Sequence, residues 1–199
     1  MLLSTQLTRP GILIPQNPVL KTAMSEKLVP LTAKKLKKSL PEVLKGFDCK
    51  IGELQHVVVG GAACLLHEIE ITTFDMDLFF LVDADKLQDI KSKLSANFLC
   101  DWHSDNDFHD SHGVSISNLK FDFRLIGSRH AVFNNFYNNR NIIDLNGCSI
   151  YVRTLDQLIS DARNAVVNSK RDGFEIERIP HFEQRAVLLE RALAERMQD

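Results

Sequence analysis

The run Val57-Val58-Val59-Gly60-Gly61-Ala62-Ala63 restricts the fold more than any other part of the chain. Three β-branched residues in succession favour an extended strand, and the segment from Ala62 to His67 is rich in helix formers. The glycine pair therefore has to turn a strand directly into a helix. Lacking Cβ atoms, these two residues let other atoms approach the backbone closely, and the amides that open a helix are donors suited to a phosphate. Strand, turn and helix in immediate succession point to an α/β protein rather than an all-helical or all-β one.

The flanking pattern continues this alternation. Phe74 to Val82 reads as a second strand, and Asp83 to Leu94 as an amphipathic helix with Leu87, Ile90, Lys91 and Leu94 at helical spacing. Asn97 to Trp102 reads as a strand and His103 to His112 as a polar loop. Val114 to Ser117 and Leu119 to Ile126 follow as strands, joined as a hairpin through Asn118 or running on as one bent ribbon. Phe133 to Tyr137 fits no single pattern. Ile142 to Leu145 and Cys148 to Val152 flank Asn146-Gly147, the dipeptide that favours a tight hairpin turn. Beyond Thr154 the spacing is helical, with Leu155, Leu158, Ile159 and Ala162 on one face, then Phe182, Ala186, Leu189 and Leu193 on another, the last helix starting near Pro180. Ahead of the first strand, Leu36, Leu40, Val43 and Leu44 keep helical spacing, while Ser39 and Glu42 bracket Pro41 like a capping box. That segment predicts two short helices or one kinked helix. The expected architecture is a mixed β-sheet flanked by helices: an irregular arm over residues 1–25, broken by Pro10, Pro15 and Pro18, a core over 26–152, and a helical C-terminal part of the same domain over 153–199.

Composition excludes several functions. With 24 Lys and Arg against 26 Asp and Glu in 199 residues, the chain is not a generally basic nucleic-acid coat. Lys34, Lys35, Lys37 and Lys38 read as a solvated helix face. The 44% hydrophobic content supplies a core that needs neither disulfide nor metal for stability. Cys49, Cys64, Cys100 and Cys148 form no Cys-x-x-Cys pair, as expected of buried free thiols in a reducing compartment. No apolar run reaches the ~20 residues of a membrane span, and no secretion signal opens the chain. The expectation is a cytoplasmic protein with no membrane partner; the acid-free first 25 residues, with Arg9 and Lys21, leave organelle targeting as the minor alternative.

The chemistry-bearing residues lie just after the glycine turn. Asp75 and Asp77, one residue apart on a strand, point to one face because side chains alternate with period two. Two such carboxylates can share one or two divalent cations, and hard oxygen ligands suit magnesium, which keeps several waters and bridges to phosphates. Asp122 alternates with Phe121 and Phe123 and shares a strand face with Lys120 and Arg124. From a neighbouring strand it would complete a two-metal site that activates a hydroxyl and stabilises a leaving pyrophosphate.

Gly60-Gly61 opening a helix, then Thr73-Phe74-Asp75-Met76-Asp77, then Asp122 on a later strand, resembles the nucleotidyltransferase fold of the DNA polymerase β superfamily. The likeness is greatest to small stand-alone members of the abortive-infection toxin and antibiotic-modifying types, and it covers roughly residues 53–126 well and 142–165 loosely. It implies transfer of a nucleoside monophosphate from a nucleoside triphosphate, such as ATP, to an acceptor (RNA, small molecule or protein), with Mg2+ or Mn2+ as cofactor. Asp75, Asp77 and Asp122 would be the catalytic metal ligands, and Gly60, Gly61, Thr73 and Arg124 the nucleotide-binding residues. Two positions depart from the pattern. Ile71 stands where many relatives have arginine, and Ala162 where many carry a lysine, so that Arg163 would substitute only with a shift of helix register.

Other readings follow from the same residues. Ile71 and Ala162 motivate a non-catalytic nucleotide- or partner-binding module on this fold. The cluster His103, Asp105, Asp107, His109, Asp110 and His112 motivates unrelated chemistry, although its spacing matches no common zinc pattern and a solvent loop accounts for it. Asp83 and Asp85 repeat the Asp-x-Asp spacing and read as helix caps. Cys64 and His67 read as a buried thiol and a hydrogen-bonded histidine.

Overall fold

The computed structural model describes residues 29–52, 54–83, 85–97, 101–103, 110–116, 119–127, 131–173 and 175–198; the arm expected at residues 1–25 lies outside them. Six helices and seven strands run in the order α1 (Ala33–Ile51), β1 (His56–Val59), α2 (Gly60–Leu66), β2 (Asp75–Val82), α3 (Leu87–Asn97), β3 (Asp101–His103), β4 (Asp110–Ile116), β5 (Leu119–Gly127), α4 (Ala131–Asn138), β6 (Arg140–Leu145), β7 (Cys148–Arg153), α5 (Leu155–Asp172) and α6 (Ile179–Arg196). A 3-10 turn at Ile176–Arg178 leads into α6.

The strands form one mixed sheet in the order β3-β4-β5-β2-β1-β7-β6. β1 lies antiparallel to β2 and parallel to β7, while β2 lies parallel to β5. The hairpin predicted at Asn146-Gly147 is present, with φ of 57° and 77° at the two turn residues. Both angles are positive, as the tight hairpin turn that suits strand twist requires. β4 and β5 pair antiparallel, which settles the choice between hairpin and ribbon in favour of the hairpin.

The first helical segment is one helix and not two: α1 runs 19 residues with Pro41 inside it, capped at Thr32, whose Oγ1 accepts the Lys35 amide at 3.2 Å. Packing of Leu36, Leu40, Val43, Leu44 and Phe47 into the core outweighs the missing proline N–H. Asn97 ends α3 instead of opening a strand, and α3 begins at Leu87, after a turn in which the Lys86 amide donates to Asp83 O. The expected polar loop at His103 to His112 has strands at both ends: His103 closes β3, and Asp110 and His112 belong to β4; residues 104–109 lie outside the described part.

The sheet carries a core on each face. Met76, Leu78, Phe80 and Val82 of β2 alternate into the main core with Val58, α1 and α2, where Phe47 meets Phe80 edge-on at 5.6 Å. Val57, Val59 and Phe79 point the other way, and the Phe136 ring of α4 stands edge-on to Phe79 at 5.2 Å. Cys64 is fully buried as expected, and His67 is buried with Nε2 at 2.8 Å from Arg153 O. Cys49, by contrast, is exposed. Arg153, itself buried, ties β7 to α5 through two bonds to Asp161 at 2.5 and 2.8 Å. Among the described residues, no helix is long and apolar enough to cross a membrane.

His56 opens β1 between the rings of Phe80 and Tyr151, and its Nε2 has no hydrogen-bond partner among the described residues. Burial pulls its pKa from 6.5 down to about 4. The unfolded chain therefore takes up a proton near pH 6.5 that the folded chain refuses until about pH 4, so stability contributed by this residue is lost as pH falls through that window. Between pH 7 and pH 5, urea unfolding should show the parent protein losing about 2 kcal/mol more than a His56→Phe variant. Equal losses would mean that His56 is solvated when protonated.

Candidate active site

β1 runs antiparallel to β2 with Val59 opposite Asp77, which brings the end of the valine run alongside the paired aspartates. Gly60 turns the chain into α2 with φ of +61°, a conformation that costs a residue with a Cβ about 1–2 kcal/mol. A Cβ at Gly60 would collide with Asp77 Oδ2, and one at Gly61 would lie 2.5 Å from Thr73 Oγ1 and 2.6 Å from Thr73 Cβ. The glycine pair is thus the seat on which the Thr-x-Asp-x-Asp segment rests. Thr73 is buried on Gly61, its Oγ1 donates towards Asp75 Oδ1 at 3.3 Å, and its carbonyl accepts from the Leu31 amide at 2.7 Å.

Asp75 and Asp77 are half-buried, with fully buried Met76 between them. The parallel register of β2 and β5 sets Asp77 beside Asp122 and Phe79 beside Arg124, so the backbone brings the third aspartate to the same level of the sheet; the side chains of Asp122 and Arg124 lie outside those described. Among the described residues no group of three His, Cys, Asp or Glu gathers in the arrangement of a metal site. The pair Asp75 and Asp77 fits magnesium or manganese all the same, because magnesium takes one or two protein carboxylates and completes its shell with water and substrate phosphate.

A cleft of about 450 Å³ opens over these residues, with Gly61, Thr72, Thr73, Phe74, Asp75 and Asp77 on one wall. Arg178, His181 and Arg185, contributed by the last turn-and-helix segment, line the same cleft. An adjoining cavity of about 280 Å³ shares Thr72, His181 and Arg185 and adds Glu70, Ile71, Gln184 and Leu188. Arg185 Nη2 donates to His181 Nε2 at 2.9 Å, and the half-buried imidazole is held below its usual pKa by burial and by the charges of Arg185 and Arg178. Arg178 pairs with Glu175.

Neither a protein-family model nor a curated protein sequence matches the chain. Among solved structures, an antigenic nucleotidyltransferase-like protein from Paracoccidioides brasiliensis superposes with a TM-score of 0.53, covering 85% of this chain and 90% of that one at 16% identity. The fold is nucleotidyltransferase-like. A lincomycin-bound lincosamide antibiotic adenylyltransferase aligns over 77% of this chain and 95% of its own, with a TM-score of 0.49 and 13% identity.

Within this fold the sequence reading placed the glycine pair and the paired aspartates together, and the structure brings them into contact. It missed the α6 wall. Arg178, His181 and Arg185 follow one another at three- and four-residue spacing, which is a helix stripe, and that was the available signal. Ala162 faces the core, and Arg163 pairs with Glu190 at 2.5 Å. Ile71 packs against the main core and lines the smaller cavity.

Proposed function

We propose that the chain is a metal-dependent nucleotidyltransferase that moves a nucleoside monophosphate from a nucleoside triphosphate to an acceptor hydroxyl, with release of pyrophosphate. The observation that carries this reading is the interlock of Asp77 on Gly60 and Thr73 on Gly61, which presents both β2 carboxylates at the mouth of a glycine turn. Asp75 and Asp77 hold the cation, Asp122 joins them from β5, and the Gly60-Gly61 turn that opens α2 contacts the phosphates through its backbone. When bound, Mg2+ or Mn2+ supplies neutralisation of the charge on the transferring phosphoryl group. In the overall step the acceptor hydroxyl gives up its proton to solvent, its oxygen bonds to the α-phosphorus, the bond to the bridging oxygen breaks, and pyrophosphate leaves. Thr73 keeps Asp75 oriented, and Arg124 contributes a further contact to the nucleotide. The acceptor is an RNA end, a small molecule or a protein hydroxyl.

Calorimetric titration with nonhydrolysable analogues of the four nucleoside triphosphates tests the assignment. Tight binding is expected with magnesium, and is weakened at least about tenfold by chelator or in the Asp75→Ala/Asp77→Ala protein. Metal-independent binding unaffected by the double substitution would overturn it. Metal-dependent binding without pyrophosphate release over a broad acceptor panel would assign the chain instead to a nucleotide-binding module, the reading that Ile71 and buried Ala162 motivate.

A further inference from the structure

Arg185 is half-buried, its Nε has no hydrogen-bond partner, and among the described residues no carboxylate pairs with it. Among the described residues its one hydrogen bond goes to His181 Nε2, which accepts and therefore carries no proton there. The nearby Cys64 thiol is pushed up to about 11 by burial, so it offers no compensating thiolate. Glu70, Asp75 and Asp77 line the same cavities, yet the ion pairs among the described residues include none with Arg185, and a partly buried guanidinium with no ion-paired partner favours an arriving anion. The guanidinium also lines both cavities, so an anion in either reaches it.

We infer that Arg185, with Arg178 and His181, forms a phosphate-binding site where the 3-10 turn leads into α6, in the same cleft as Asp75 and Asp77. Arg185 supplies forked N–H donors, Arg178 adds a second guanidinium at the rim, and neutral His181 braces the Arg185 fork from behind. Arg163 on α5, tied to Glu190, lines neither cavity. The inference rests on the nucleotidyl-transfer reading for the source of its ligand. That source is the pyrophosphate end of the triphosphate or a phosphate carried by the acceptor.

The experiment is calorimetric titration of the full chain with inorganic pyrophosphate and with inorganic phosphate in the presence of chelator, so that no metal bridges to Asp75 and Asp77. Pyrophosphate is expected to bind, about tenfold or more weakly in Arg185→Met and less severely weakened in Arg185→Lys, with Arg163→Met unchanged. Circular dichroism confirms that the variants fold, and Arg178→Met provides a second, more exposed test of the same site. Competition between pyrophosphate and a triphosphate analogue assigns the site to the triphosphate. Simultaneous binding of inorganic phosphate and the analogue assigns it to a phosphorylated acceptor. No binding of either anion to the parent protein, or equal binding by parent and Arg185→Met, overturns the inference. Failure of the catalytic reading alone looks different, because metal-free anion binding would persist while the Asp75→Ala/Asp77→Ala substitutions had no effect on nucleotide.

Discussion

Asp77→Asn should slow pyrophosphate release about a thousandfold or more while leaving the protein folded. The amide keeps the size of the carboxylate, so the contact with Gly60 survives, but one of the two negative charges offered to the cation is gone. A thousandfold corresponds to about 4 kcal/mol of transition-state stabilisation, within the range for removing one electrostatic element from a phosphoryl-transfer site. Asp75→Asn should behave alike, since Thr73 Oγ1 then faces an amide oxygen in place of a carboxylate oxygen. Stability should hold or rise slightly in both variants, because two neighbouring carboxylates repel one another without a cation. Steady-state release assays, with thermal unfolding alongside, measure both quantities. Full activity in Asp77→Asn would place the chemistry elsewhere.

Gly61→Ala should destabilise the fold by about 1–3 kcal/mol, a large effect for one methyl group. The added Cβ would stand 2.5–2.6 Å from the Thr73 side chain, and Thr73 cannot swing away freely because it is buried and its carbonyl is bonded to the Leu31 amide. Thr73→Gly in the same chain removes both clashing atoms, so the double variant should recover part of the lost stability. The recovered portion in a double-mutant cycle measures the interlock directly. Additive losses would show that the contact between helix and strand entry is looser than the geometry indicates. Restored stability need not restore turnover, since Asp75 has then lost its hydroxyl neighbour.

Much of this architecture was legible because its signals are local. Asn146-Gly147 and Gly60-Gly61 carry their turn chemistry in two residues each, and the alternation in β2 separates Asp75 and Asp77 from Met76, Leu78 and Phe80 without further information. What failed depends on distant neighbours. α4 is a short helix whose Phe136 and Tyr137 pack beneath β1 and β2, and nothing in its own sequence announces that partner. Pro41 is a local stop signal overridden by the burial of Leu40, Val43 and Leu44 around it. The start of β4 at Asp110 follows from pairing with β5 and not from apolar residues, since Asp110, Ser111 and His112 are all polar. The basic stripe leading into α6 was visible as spacing, but a stripe of charge ordinarily faces solvent, and only the tertiary placement of α6 on α5 brings it into the cleft that Asp75 and Asp77 also line.

The pairing of Val58 with Val152 sets an order of events in folding. β1 meets β2 after a short excursion of chain, whereas β7 returns to β1 only after the whole of β2 to β6 has been made. Closing a loop of that length costs about 4 kcal/mol of chain entropy before any β1–β7 hydrogen bond compensates. The half-sheet that carries the aspartates can therefore assemble ahead of the seam that docks β7, α5 and α6, and the acidic wall of the cleft precedes its basic wall. During that interval the nascent protein has its β2 carboxylates in place before Arg178, His181 and Arg185 arrive beside them.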